Sequence, residues 1–142
     1  MDVLAPISQI MSKDLITVNE KDKLTVVRDI FEQHKIHHIP VVRFHTVVGI
    51  ISKSDYLYFV RGFTQNEEDK FVNDSRLKAY NADEIMTSKI AKVQSTDRIN
   101  VAIELFAINR FHAIPVVEDE QLVGIVTTHD IIRALADGTL VA

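Results

Sequence analysis

"HHIPVV" occupies residues 37–42, and "HAIPVV" occupies residues 112–117. Two of the chain's three prolines, Pro40 and Pro115, fall in this phrase, 75 residues apart. At that offset Ile10-Met11 falls on Ile85-Met86, Val18 on Val93, Asp22 on Asp97 and Phe31 on Phe106. "GIISKSD" (49–55) falls on "GIVTTHD" (124–130). From residue 10 to residue 58 no gap is needed, and 15 of the 49 aligned positions are identical. A register held that long marks an internal duplication, and a repeat has to be recognised before the fold is read.

Each copy reads in the same order. "LITV" and "IAKV" are short extended segments. In "DKLTVVRDIFEQHK", Leu24, Val27, Ile30 and Phe31 recur at helical spacing, as do Ile99, Ala102, Leu105 and Phe106 in "DRINVAIELFAINR". Asp22 and Asp97 stand near the helix starts, where the dipole favours an acid. "HIPVVRF" and "AIPVVED" are β-branched strands that hairpin into "VVGIIS" and "LVGIVT". The prolines, which lack an amide, belong at a strand start or edge. "SDYLYFVRGF" and "HDIIRALADG" return to helix, with Gly62 and Gly138 as stops. The unit is β-α-β-β-α and the class is α+β. One copy, at roughly 50 residues, is marginal as an independent fold, so two copies have a structural reason to pack together. The repeats are expected over 8–63 and 82–138, joined by a polar, partly helical connector at 64–81.

Composition excludes several function classes. The chain is one domain long at 142 residues, 46% hydrophobic and 25% charged. A net charge of −4 gives no basic field for nucleic acid or an anionic membrane. There is no cysteine, hence no disulfide, thiolate metal site or cysteine nucleophile. "MDVLAPISQIM" lacks the basic start and apolar core of a signal peptide, and no apolar run reaches membrane length. A soluble, cytoplasmic protein is expected.

The chemistry-bearing stretch is "SKSD" (52–55), repeated as "TTHD" (127–130). One reading is a helix cap, a hydroxyl followed three residues later by an acid. The other uses the same geometry to bind: a helix start offers amides to an anion, and a carboxylate can accept both hydroxyls of a ribose. Both can hold together. His37 and His112 share a register before the prolines, either as polar strand edges or as hydrogen-bond donors to an anion. His34, His37, His38 and His45 cluster in sequence, which raises a metal-binding alternative. Pro40 puts His38 at a strand start, however, and spoils a common helical face with His34. No G-x-S-x-G elbow, Walker A loop or H-E-x-x-H occurs, and no catalytic activity is expected.

Two β-α-β-β-α copies, each with an "h-x-I-P-V-V" strand and a "G-I-x-[ST]-x-x-D" turn, resemble a tandem pair of CBS domains, a Bateman module. "KIHHIPVV" and "GIISKSD" are also similar to stretches of the nucleotide-sensing gamma subunit of AMP-activated protein kinase. The resemblance implies two repeats related by pseudo-twofold symmetry, with clefts between them for AMP, ADP, ATP or S-adenosylmethionine, and a regulatory, non-catalytic role with no other cofactor. It implies that Asp55 holds the ribose diol with Ser52 and Ser54 near phosphate. In the second copy it implies Asp130 with Thr127, His129 replacing the second serine. His37 and His38 fill the phosphate-facing places before Pro40; the second copy has His112 and Ala113. Adenine would lie on the main chain of Leu15-Ile16-Thr17 and Ile90-Ala91-Lys92, so that Asp55 shares a cleft with Ala91 and His112, and Asp130 with Ile16 and His37. A homodimer through the last helix of each copy is implied as well. The sequence agrees with it in Tyr56, Leu57, Phe59, Val60, Ile131, Ile132 and Leu135, apolar on several sides of those helices. With no catalytic, transporter or DNA-binding segment beside the repeats, any regulated target is expected to be a separate protein. The alternative to a sensor is a ligand-free dimerisation or interaction module.

Overall fold

The computed structural model describes residues 2–63, 69–108 and 111–138. The fold is α+β. Its elements are β1 (Val18–Asn19), α1 (Leu24–Gln33), β2 (His38–Arg43), β3 (Thr46–Ser52), α2 (Lys53–Val60), α3 (Lys70–Lys78), β4 (Val93–Gln94), α4 (Ile99–Ile108), β5 (Ala113–Glu118), β6 (Gln121–Thr127) and α5 (Thr128–Asp137). The β-α-β-β-α order is present twice. The extended segments form strands only at their ends, β1 and β4 beginning at Val18 and Val93. The connector carries α3; its residues 64–68 lie outside the described residues.

The chain divides into two compact units, residues 16–89 and residues 1–15 with 90–142. In the first unit β1 pairs parallel with β2, and β2 antiparallel with β3. The helical periodicity buries Leu24, Val27 and Phe31 of α1 against Val18, Ile39, Val41, Ile51, Tyr56, Leu77 and Ala82. The second unit repeats this pairing with β4, β5 and β6, over a core of Ile7, Val93, Ile99, Ala102, Ile114, Val116, Val126 and Ala134. At roughly 25 cal/mol per Å² of apolar surface removed from water, these two cores dominate the stability of the units.

The units do not coincide with the sequence repeats. The segment that leads the second repeat packs in the first unit: Ala82 N–H donates to Asp22 O at 2.8 Å, Thr87 N–H to Ile50 O at 2.8 Å and Ile50 N–H to Thr87 O at 3.0 Å. The segment that leads the first repeat makes the same bonds in the other unit, 75 residues away in register: Ile7 N–H to Asp97 O at 2.8 Å, Ser12 N–H to Ile125 O at 2.8 Å and Ile125 N–H to Ser12 O at 3.0 Å. Each repeat thus lends its leading segment to the strands of the other. The two glycines of the repeated motif make this close approach possible. A Cβ on Gly49 would stand 2.5 Å from Met86 Sδ and 2.9 Å from Thr87 O, and one on Gly124 would stand 2.6 Å from Met11 Sδ.

The same bonds explain the prolines. Pro40 is the third residue of β2 and sits opposite Ile50, whose amide and carbonyl both go to Thr87. The missing proline amide therefore faces away from β3, toward the side where β1 begins one residue later, opposite Val41. No ladder bond is lost. Asp22 and Asp97 act one step earlier than the helix dipole reading expects: their Oδ2 atoms accept the amides of Asn19 and Gln94, each at 2.8 Å, and so close the turns before α1 and α4. Gly138 ends α5 in the left-handed conformation (φ 60°), whereas α2 ends at Arg61 in right-handed geometry.

Candidate functional site

Both "S/T-x-x-D" turns lie where a strand runs directly into a helix. In the first unit Ser52 caps α2, its Oγ accepting the Asp55 amide at 3.0 Å. The next amide, of Lys53, donates to His37 O at 2.8 Å, which ties the start of β2 to the start of α2. Two first-turn amides are therefore satisfied within the protein. In the second unit the same bonds recur: Thr127 Oγ1 accepts the Asp130 amide at 3.1 Å, and Thr128 N–H donates to His112 O at 3.1 Å. The capping reading holds in both turns, and it leaves the carboxylates to be considered separately.

Asp55 is exposed, and among the described residues its carboxylate has no hydrogen-bond partner. It lines a cavity of about 320 Å³ together with Tyr58, Phe59, Arg61, Ile85 and Thr87. The walls have clear origins. Tyr58 and Phe59 follow Asp55 at helical spacing on α2, and Thr87 is held by its two bonds to Ile50. The Arg61 guanidinium lies 3.6 Å from the centre of the Tyr58 ring, a cation–π plate at the rim. The sequence pointed to Asp55 alone among these; the helical spacing of Tyr58 and Phe59 was the available signal. Thr87 aligns with Ser12 of the other copy, but nothing in the register says which turn it will face.

The remaining candidates fall unit by unit. Ile16 is half-buried and Thr17 exposed, just before β1; His37 is exposed, and His38, half-buried, opens β2. In the other unit Ala91 is half-buried and packs on the core, whereas Lys92 and His112 are exposed. His129 contacts Arg133, the Nε2 to guanidinium distance being 3.0 Å. His34 follows α1, and His45 lies exposed at the tip of the β2–β3 hairpin. Among the described residues no three His, Asp or Glu side chains gather to hold a metal ion, and no helix is long and apolar enough to cross a membrane.

The CBS-domain family model matches residues 7–62 and again residues 82–137. The chain belongs to the CBS-domain family. It is 32% identical to the uncharacterized protein MJ1426 of Methanocaldococcus jannaschii, over 91% of this chain and 90% of that one. The CBS domain pair of protein MJ0100, solved in complex with 5'-methylthioadenosine and S-adenosyl-L-methionine, superposes with a TM-score of 0.73 at 26% identity, covering 95% of this chain and 98% of that chain. CBSX2, solved in complex with AMP, shares the fold with a TM-score of 0.77 at 23% identity, covering 96% and 99%. This CBS pair spans 22% of the length of the inosine-5'-monophosphate dehydrogenase of the same archaeon, which it also matches.

Proposed function

We propose that this CBS pair is a regulatory module that binds an adenosine-containing ligand reversibly and does not transform it. The observation that carries the reading is the duplicated strand-to-helix turn with a capping hydroxyl and an acid three residues on, one of whose acids, Asp55, stands uncommitted in the wall of a cavity. The complex of the MJ0100 pair with two adenosine compounds supports the ligand class. In this reading Asp55 and Asp130 accept the ribose hydroxyls. Ser52, Ser54, Thr127 and His129 stand near phosphate or its replacement, with His37, His38 and His112 as further donors. Main chain at Ile16, Thr17, Ala91 and Lys92 receives the adenine. The protein works in the cytoplasm as a homodimer and regulates a separate protein.

Melting the protein with and without AMP, ATP and S-adenosylmethionine tests this. A ligand at a hundredfold excess over its Kd adds about 2.7 kcal/mol, a shift of roughly 5–10 °C for a chain of this size. No shift with any of the three, together with no adenosine compound in the denatured purified protein, would sink the reading. Conversion of the ligand on incubation would sink its non-catalytic half.

A second reading, a ligand-free dimerisation module, draws on the apolar side chains that α2 and α5 leave in solvent. Leu57 is 53% exposed, Ile132 62% and Leu135 56%. The same melting experiment separates the two, since this reading expects self-association without any nucleotide response.

A further inference from the structure

Helix α3 has no counterpart in the duplication, and its outward face differs from the rest of this chain, whose net charge is −4. Its inward side is committed to the first unit: Leu77 is buried in the core, and Asp74 accepts a hydrogen bond from the Arg28 guanidinium of α1. Phe71, Ser75 and Lys78 follow one another at i, i+4 and i+7 on another side of the helix. All three are exposed, Phe71 to 80%. Lys70, Val72 and Arg76 are exposed as well. With Asp74 turned to Arg28, the helix shows solvent an apolar and wholly basic face. Helix α4 presents the opposite. Glu104 is its only charged residue. Val101, Glu104 and Ile108 share one face at i, i+3 and i+7 and are exposed, Ile108 to 78%. At the offset of 75, Ile103 and Ile108 stand where α1 has Arg28 and Gln33. Where α1 is polar and reaches across to α3, α4 carries apolar side chains instead.

We propose that the outward face of α3 in one copy of this chain docks antiparallel on α4 of a second copy. At 1.5 Å of rise per residue, Phe71 to Lys78 and Val101 to Ile108 are stripes of equal length, about 10 Å each. Laid antiparallel, Phe71 meets Ile108 and Lys78 reaches Glu104. Laid parallel, Lys78 would face Ile108, so charge sets the direction while the apolar pair supplies the attraction. The two faces differ and each copy carries both, which makes the contact heterologous and able to recur from copy to copy. It is separate from any pairing through α2 and α5. Two apolar side chains and one exposed ion pair form a small interface. The contact therefore forms in concentrated protein and is caught by crosslinking, at concentrations above those where light scattering reads a tighter pairing.

The chain has no cysteine, so single introduced thiols report the contact without background. Ser75→Cys in one chain and Ala107→Cys in a second, differently tagged chain replace small exposed side chains next to the proposed anchors. The two full-length chains are mixed at hundreds of micromolar and joined with a short bismaleimide. The crossed product should exceed the half of all dimers that random collision gives. Phe71→Asp on the first chain, or Ile108→Asp on the second, should return it to that half. Lys78→Glu should lower the excess roughly two- to fivefold, and Glu104→Lys on the other chain should restore it. The crossed product should persist when both chains also carry Leu57→Asp and Ile132→Asp, since α2 and α5 take no part. A statistical mixture of dimers in the parent pair, a loss with Lys78→Glu that Glu104→Lys does not restore, or a crossed product abolished by the α2 and α5 substitutions would each overturn the inference. None of these outcomes bears on adenosine binding, which is read separately.

Discussion

Met86 lies across the bare backbone of Gly49, its Sδ 2.5 Å from where a Cβ would stand, with Thr87 O at 2.9 Å beside it. The second of these neighbours is backbone held by two hydrogen bonds to Ile50 and has little room to retreat. Gly49→Ala should therefore cost about 1–3 kcal/mol through overpacking, read as a lower urea midpoint. Gly124→Ala should do the same through Met11 and Ser12. Gly62→Ala, with nothing within 4 Å of the added methyl, is the neutral control.

Loss of both acids discriminates capping from binding. The double variant Asp55→Ala, Asp130→Ala should remain folded, losing about 1 kcal/mol with the Asp130 cap, and should show no melting shift with an adenosine ligand that stabilises the parent. A full shift retained in the double variant would assign these acids to structure alone.

Acid should loosen the first unit through Glu20. Arg43 donates through Nε and an NH2 group to both Glu20 oxygens, at 2.7 and 2.8 Å. The Arg43 guanidinium holds the Glu20 carboxyl below its ordinary value of 4.5. A depressed carboxyl contributes stability that is fully present above that value and is lost as pH falls through its lower folded one. Glu20→Gln should flatten the pH dependence of melting below pH 4.5 and leave it unchanged near neutrality. Salt should shrink the difference, because the pair is exposed.

Self-association should depend on the last helix of each copy. Leu57→Asp in α2 and Ile132→Asp in α5 place a charge among exposed apolar side chains, where it would have to lose its water in an interface. Light scattering should show the parent at twice the 16.1 kDa chain mass and each variant nearer that mass once. A parent that stays at 16.1 kDa at tens of micromolar would dispose of the dimer.

Much of this was legible in the sequence, for definable reasons. The offset of 75 placed every strand of the hairpins and every core position of α1, because burial follows periodicity and Leu24, Val27 and Phe31 repeat at a helical interval. The Ser52 and Thr127 caps were legible from residue type and spacing. The partner of each leading segment was not. Ile10-Met11 and Ile85-Met86 are identical, so nothing in their chemistry says that Met86 covers Gly49 while Met11 covers Gly124. The choice is made by backbone hydrogen bonds, which leave no mark on side-chain identity. Nor did the spacing of Asp22 and Asp97 from their helices reveal that they close a turn instead of facing the dipole.

The lent leading segments make the polypeptide a pair of clasped halves. A cut between Phe63 and Asp69 yields an N-terminal piece that owns β1 to α2 and also residues 1–15 of the other unit, and a C-terminal piece that owns β4 to α5 and also residues 69–89. Each piece holds what the other needs to complete its core. Two separately expressed halves should therefore be insoluble or molten alone and should reconstitute on mixing. A nicked chain should elute as one particle until denaturant separates the fragments, its covalent continuity having become dispensable.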